Sequence, residues 1–179
     1  VIGPGIAGVI TSAGRHGSGA RRLAGELGHM AVWPDGEACP CGQRGCLERY
    51  ASAASISRRY AERAGPAVDA AEVLARAVHD RLAAAVWAEA VEALAIALAS
   101  CRMLLDPALI ILGGGLSAAG AALCEPVRAA LATRVRWREM PAVELSPLGS
   151  RAGLLGSAIL AWQAAGVSEF DAWTRKAAR

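Results

Sequence analysis

Aromatic side chains are scarce in this sequence. They make up 4% of the 179 residues, whereas hydrophobic residues of all kinds make up 54%. The apolar mass is therefore aliphatic, which favours helices packed on a sheet over a β-sandwich. A chain of this length suits one domain, or one lobe of a larger protein, and is long enough to bury a core.

A strong charge bias and a long apolar run are also missing. The 19 basic and 16 acidic residues leave a formal net charge of +3, too small to argue for nucleic-acid binding. The apolar run at residues 93–101 is far shorter than the roughly 20 residues that a membrane-spanning helix needs. Because the first residues carry no secretion-signal pattern, we expect a soluble cytoplasmic protein. They read VIGPGIAG, a strand and turn without methionine, so we also expect a fragment of a longer protein.

The five cysteines fall into two groups. Cys101 and Cys124 lie in apolar helical patterns and are expected to be small buried residues. The other three occupy a loop rich in proline and glycine, with a histidine upstream. An odd number of cysteines without a secretion signal argues against a disulfide framework, and clustered cysteine with histidine favours a metal site.

The candidate metal ligands offer one nitrogen and three sulfur donors, the set of a closed tetrahedral structural zinc site. They are His29, Cys39, Cys41 and Cys46. Thiolates with one imidazole favour Zn²⁺ over iron or copper. The alternatives are a redox pair at Cys39 and Cys41 and three thiols that are close together by chance. Neither explains the histidine.

Two carboxylates flank these ligands. Glu26 lies three residues before the histidine and Glu48 two residues after the last cysteine. Carboxylates held on a metal-stiffened element, together with an imidazole, suit a polyhydroxyl ligand such as a sugar. The alternative is that Glu26 caps a helix and Glu48 lies on a solvated face.

The rest of the chain alternates strands and helices, which predicts an α/β fold. A glycine-punctuated strand is predicted over residues 1–10 and a last strand over 142–146. Helices are predicted over residues 47–65, 69–80, 81–105 and 151–166. Residues 81–105 repeat apolar side chains every three or four positions, and the Asp-Pro pair at 106–107 ends that helix.

Two glycine-rich turns could approach a ligand. The first contains Gly3, Gly5 and Gly8; the second, Gly113 to Gly115, follows a short buried strand and precedes a helix for which Ser117 is the expected N-cap. A strand, a glycine turn and a helix N-terminus often contact a nucleotide. A tight turn without a ligand is the alternative.

The segment GELGHMAVWPDGEACPCGQRGCLERYAS, residues 25–52, resembles the signature of the ROK family of bacterial sugar kinases and sugar-responsive repressors. Its G-E-x-G-H and C-x-C-G-x-x-G-C-x-E elements stand at the family spacing. LLDPALIILGGGLS resembles the family's nucleotide-proximal strand and glycine turn, and LGSRAGLLGSAILAW its closing helix.

The resemblance implies roles for individual residues. Zinc would be bound by His29, Cys39, Cys41 and Cys46, and sugar hydroxyls by Glu26, His29 and Glu48, with the histidine using one ring nitrogen for each. Gly113, Gly114 and Gly115 would line the adenosine side, and Gly3 and Gly5 would belong to the second phosphate turn.

The fold implied is the two-lobed, actin-like ATPase architecture of the ribonuclease H-like class. Residues 1–179 would form its C-terminal lobe, including a zinc loop at 25–50 and a closing helix at 151–166. The N-terminal lobe, with the aspartate that serves as general base, is absent from this chain. A kinase needs that base and a phosphate clamp, so we expect the chain alone to be inactive.

Two functions follow from the resemblance. The first is ATP-dependent phosphorylation of a hexose by a glucokinase-like protein, with structural Zn²⁺, ATP and Mg²⁺; the second is the sugar-sensing domain of a repressor that contacts DNA through an upstream helix-turn-helix. The triple glycine favours the kinase. Pro4, where the family usually has threonine, and a shortened glycine turn favour the repressor. A homodimer formed through the long apolar helix is expected, without a membrane partner.

Overall fold

The computed structural model describes residues 1–137 and 139–166. Its α-helices are α1 (Glu48–Ala51), α2 (Ala53–Ala64), α3 (Ala70–Arg76), α4 (Arg81–Leu105), α5 (Ala121–Arg134) and α6 (Ala152–Ala164). Its strands are β1 (Thr11–Ser12), β2 (Arg15–His16), β3 (Leu109–Leu112) and β4 (Ala142–Leu145), and short 3₁₀ helices span Leu27–His29, Gly115–Ala119 and Gly149–Arg151. The described part of the chain is thus α/β, as predicted.

Helix α4 is the centre of the core and has the predicted bounds. Asp80 caps it by accepting hydrogen bonds from the N–H groups of Leu82 and Ala83, and it ends at Asp106, whose φ of 45° is left-handed. Helices α1, α2, α3 and α5 all pack on it. The predicted apolar stripe is buried in its middle, whereas Leu82 and Leu105 at the two ends are exposed.

By length and composition, α4 is also a helix that could cross a membrane. Half of its most apolar window is buried inside the protein. The central helix of a protein core has the same composition, because it is covered on most sides by other helices.

The helix predicted over residues 47–65 is divided in two. Ser52 has an extended ψ of 152°, and its side chain accepts the N–H of Ser55, so α2 begins with a cap of its own. Gly65, with a φ of 98°, ends α2 as predicted. The division turns α1 into a separate short helix that carries Glu48 at its first position.

Strands β3 and β4 pair in parallel, with Leu109 opposite Ala142 and Leu112 opposite Leu145. Helix α5 lies against β4, where the guanidinium of Arg128 donates to the Val143 carbonyl. Leu109 and Ile111 alternate to the other face and are exposed. One face of this parallel pair is therefore covered and the other is open in the described structure.

The helix predicted over residues 69–80 is shorter, Ala70–Arg76, and two further local predictions were wrong. The strand predicted over residues 1–10 is replaced at residues 2–6 by a tight turn, closed by an antiparallel bridge between Ile2 and Ile6, because the glycines and Pro4 bend the chain. Ser117 does not cap α5: it lies inside the preceding 3₁₀ helix and donates its hydroxyl to the Gly114 carbonyl. Helix α5 begins after Gly120, whose φ is 60°.

Candidate functional site

The four predicted metal ligands come together in one cluster. The ligand atoms of His29, Cys39, Cys41 and Cys46 all lie within 4.8 Å of one another. The Cys41 and Cys46 sulfur atoms are 3.6 Å apart, and the Cys39 sulfur is 3.8 Å from His29 Nδ1. Tetrahedral zinc with Zn–S near 2.3 Å and Zn–N near 2.0 Å would separate such atoms by about 3.6–3.8 Å. The donor set and its spacing therefore fit zinc.

Glycines fold residues 25–50, here called the metal loop, around this cluster. Gly42 and Gly45 have φ values of 93° and 69°, which other residues rarely adopt. Gly45 also lies so close to the Trp33 carbonyl that a side chain would collide with it. Antiparallel bridges from Ala31 to Cys46 and from Ala38 to Arg44 close the loop.

The thiols of the cluster differ in acidity and exposure. Burial, together with the neighbouring Cys39 and Cys41 thiols, raises the pKa of Cys46 to about 12. A hydrogen bond with the backbone of Gln43 lowers the pKa of Cys41, which is the exposed thiol of the three. At neutral pH a metal ion therefore has to displace a firmly held proton from Cys46.

Glu48 joins the metal loop to the first glycine turn. Its Oε2 accepts the backbone N–H of Ile6 at 2.7 Å. A Cβ atom on Gly5 would lie 2.7 Å from the same oxygen, and one on Gly28 would lie 3.2 Å from it. The two glycines thus leave room for the carboxylate. The alternative of a solvated helix-face residue is wrong for Glu48.

Glu26 and His29 stand at the two ends of one 3₁₀ turn. The N–H of His29 donates to the Glu26 carbonyl at 3.1 Å. The Glu26 side chain is exposed and makes no capping hydrogen bond, so the alternative of a side-chain cap is wrong. His29 directs Nδ1 toward Cys39, which leaves Nε2 as its second ring nitrogen.

The two glycine turns adjoin each other. Ile2 donates its N–H to the Gly113 carbonyl at 2.6 Å, and Leu116 donates to the Ile2 carbonyl at 3.0 Å. Gly114 sits against the Ile2 backbone and has no room for a side chain, whereas Gly3 and Gly115 have open space where a side chain would start. Residues 2–6 therefore lie between the triple glycine on one side and Glu48 on the other.

Sequence reasoning missed the role of Glu37. Its carboxylate is paired with the guanidinium groups of Arg49, Arg58 and Arg59. An acidic residue in a loop and arginines on two later helices have no spacing that marks them as partners.

Comparison with known proteins assigns the chain to a family. The model of the ROK family matches residues 1–164. The glucokinase of Streptomyces coelicolor is 33% identical over 181 residues, which cover 89% of this chain and 57% of that protein. The chain thus spans little more than half the length of this relative.

Two solved structures are similar in fold as well as in sequence. A ROK hexokinase from Thermus thermophilus superposes with a TM-score of 0.81 at 33% identity, covering 88% of this chain and 53% of that one. A ROK glucokinase from Streptomyces griseus, solved with glucose and AMPPNP, gives 0.80 at 30% identity, covering 89% and 58%. These neighbours share the actin-like architecture of ROK sugar kinases. The chain belongs to the ROK family.

Proposed function

We propose that the full-length protein phosphorylates a hexose with ATP, as a glucokinase-like ROK kinase. One observation carries this proposal: the turn at residues 2–6 is hydrogen-bonded to Gly113 at one end and to Glu48 at the other. The first candidate nucleotide turn therefore contacts both the second one and a candidate sugar ligand, and transfer of a phosphoryl group requires such proximity.

The sugar would be held by Glu26, His29 and Glu48. The carboxylates accept hydrogen bonds from hydroxyl groups, and His29 contributes Nε2 while Nδ1 faces the thiols. Glu48 already bonds the Ile6 N–H through Oε2, so Oε1 is its oxygen for a hydroxyl. Because one atom of each side chain already has a partner, both side chains are oriented before the sugar binds, which lowers the entropic cost of binding.

The metal centre would be structural Zn²⁺ bound by His29, Cys39, Cys41 and Cys46. Bound zinc would supply the folding energy that a loop rich in proline and glycine lacks. A disulfide-based redox role is less well supported, because the imidazole takes part in the cluster and all three cysteines are free.

The nucleotide side would comprise Gly3 and Gly5 in the first turn and Gly113, Gly114 and Gly115 in the second. Open space at Gly3 and Gly115 suits close approach of ATP with Mg²⁺. Gly5 is needed for room beside Glu48, so its effect on the nucleotide would be indirect. Pro4 has no N–H to offer a phosphate, which leaves fewer backbone donors in this turn.

The general base would come from the part of the parent protein that this chain does not span. We therefore expect residues 1–179, as the C-terminal lobe with the metal loop inserted and residues 151–166 as its closing helix, to bind ligands without turnover. A cytoplasmic homodimer is the expected form of the full-length protein.

The test is a coupled ADP-release assay on the full-length protein with ATP, Mg²⁺ and a panel of hexoses. Sugar-dependent ADP formation supports the kinase and identifies its substrate class. Glu48→Gln should retain zinc and raise the KM for the sugar. Sugar binding without turnover would instead favour the repressor. ADP production by residues 1–179 alone would contradict the proposal that the general base lies outside this chain.

A further inference from the structure

The backbone N–H, the backbone carbonyl and the carboxylate of Glu37 each make a hydrogen bond or an ion pair. Its N–H donates to the Tyr50 hydroxyl at 2.7 Å, and its carbonyl accepts the N–H of Gly45 at 2.8 Å. Its Oε1 is 2.8 Å from Arg59 Nε, and its Oε2 bonds Arg58 and lies 3.5 Å from Arg49. The carboxylate is 30% exposed, so these pairs are partly shielded from solvent.

The arginine partners of Glu37 belong to two helices. Arg49 lies on α1, and Arg58 and Arg59 lie on α2. Arg59 is 6% exposed, lies over the Tyr50 ring at 4.7 Å, and also bonds Glu89 on α4. A single side chain of the metal loop is therefore linked to the central helix of the core through one buried guanidinium.

Glu37 is joined closely, through the backbone, to two of the metal ligands. Cys39 follows it by two residues, and Gly45, which donates to its carbonyl, directly precedes Cys46. Arg49 directly follows Glu48, the candidate sugar ligand. Without the carboxylate, Arg58 and Arg59 would keep their pairs with Glu62 and Glu89, but the charge of the metal loop that holds α2 would be lost, and this contact would loosen.

We propose that Glu37 is a positioning residue for the metal centre: by holding three arginines of α1 and α2, it fixes the Cys39 and Cys46 thiols at ligand distance. This proposal rests on the zinc site proposed above. Removing a residue that orients a metal ligand typically lowers metal affinity by about 10- to 100-fold. A carboxylate two residues from a ligand, linked to the core, is placed for such an effect.

The experiment measures zinc affinity of the full-length protein by competition with a chromophoric chelator. Glu37→Gln should raise the zinc dissociation constant at least about tenfold. Glu37→Asp keeps the charge with a shorter reach and should give an intermediate value. Glu62→Gln is the matched control, because Glu62 also bonds Arg58 but is an exposed residue of α2. It should leave the constant within about twofold.

Thermal unfolding of the zinc-free and zinc-loaded forms separates positioning from general stability. If Glu37 positions the ligands, Glu37→Gln lowers the midpoint of the zinc-loaded form more than that of the zinc-free form. Equal losses with an unchanged zinc constant would overturn the proposal. Should Glu37→Gln fail to fold, Arg58→Gln removes one partner instead and should still weaken zinc binding relative to Glu62→Gln. A wild-type protein that binds no zinc would overturn the metal site itself, which is a distinguishable result.

Discussion

Cys41 is the exposed thiol of the metal cluster, so its replacement disturbs packing least. We expect Cys41→Ser to weaken zinc binding by more than the roughly 10- to 100-fold typical of an outer partner, because a direct ligand is lost. Zinc stoichiometry after desalting is the measurement. Cys101→Ala, which alters a buried thiol of α4, is the control and should keep its zinc. Equal zinc content in the two variants would contradict the assigned ligands.

Proton release from Cys46 gives zinc binding a pH dependence. Burial raises the pKa of this thiol to about 12, so it is protonated at neutral pH and zinc must displace the proton. The dissociation constant should therefore rise as the pH falls, by about tenfold per pH unit for each proton displaced. Competition titrations at two pH values on either side of neutrality would measure this slope. A constant that does not change with pH would refute the displacement.

Gly5 and Gly3 form a matched pair in the first turn. A methyl group at Gly5 would press on the Glu48 carboxylate, whereas one at Gly3 meets open space. We expect Gly5→Ala to displace the Glu48 carboxylate from the Ile6 N–H and to lower the free energy of unfolding by about 1 kcal/mol, the usual value of one hydrogen bond. Gly3→Ala should leave it nearly unchanged. Urea unfolding of both variants tests this, and similar losses would show that the Glu48 contact is not the cause.

For individual residues, the sequence predicted the metal ligands better than the contacts around them. The cluster of His29 with three cysteines was predictable because the donors are chemically distinctive and close in the chain. The bond from Ile6 to Glu48 was not, since a backbone N–H has no signature in the sequence. The arginine partners of Glu37 were missed for a similar reason: charged residues are common on helix surfaces.

Among the elements, the start of α4 depends on Asp80. One carboxylate oxygen accepts the N–H groups of Leu82 and Ala83, and the other accepts the Tyr60 hydroxyl at 2.7 Å. The bond from Tyr60 is the largest cause that holds the pKa of Asp80 below its ordinary value of 3.8. A lowered pKa stabilises the fold above the ordinary value, and this contribution disappears as the pH falls through the folded pKa.

We therefore expect Asp80→Ala to lower the thermal midpoint by several degrees at neutral pH, through loss of the cap. Asp80→Asn keeps a capping oxygen and should lose less. The difference between wild type and Asp80→Asn should shrink as the pH falls below 3.8, because Asp80 becomes neutral. A difference that persists unchanged in acid would mean that the charge is not involved.

The elements that were predicted well are long and periodic. Residues 81–105 were bounded correctly because the apolar repeat runs through them and an Asp-Pro pair follows it. The break at Ser52 was missed because most of the flanking residues favour helix. The Ser52 side-chain cap and the bond from the Ala53 N–H to the Gly3 carbonyl separate α1 from α2. The prediction that Ser117 caps α5 was wrong because its hydroxyl is equally able to bond inside a 3₁₀ turn.

At the scale of the whole molecule, the described part of the chain leaves apolar surface uncovered. None of the described residues of α6 is buried, although this helix contains Leu154 and Leu160, which are 74% and 67% exposed. Leu104 at the end of α4 and Ile111 on the open face of β3 are exposed as well. Dimerisation was expected through α4, but α4 is largely buried in its middle. The apolar surface available to a partner lies instead on α6, β3 and the end of α4.

Residues 1–179 should therefore self-associate as concentration rises. Sedimentation velocity over a range of concentrations would measure this association. Placing glutamate at both Leu154 and Leu160 should shift the protein toward monomer. Val78→Glu adds charge at a site between α3 and α4 that is 90% exposed and serves as the control. If the doubly substituted protein sediments like wild type, α6 is not the associating surface.

The closeness of the metal ligands along the chain has a consequence for the order of folding. His29 to Cys46 is a short stretch, and closing short loops costs little entropy. Contacts between near neighbours also form faster than distant ones. During synthesis the metal loop can close on its ion before α4 has been made. Arg58 and Arg59, which bond Glu37, are synthesised after the loop, so the loop can form first and be joined to the core afterwards.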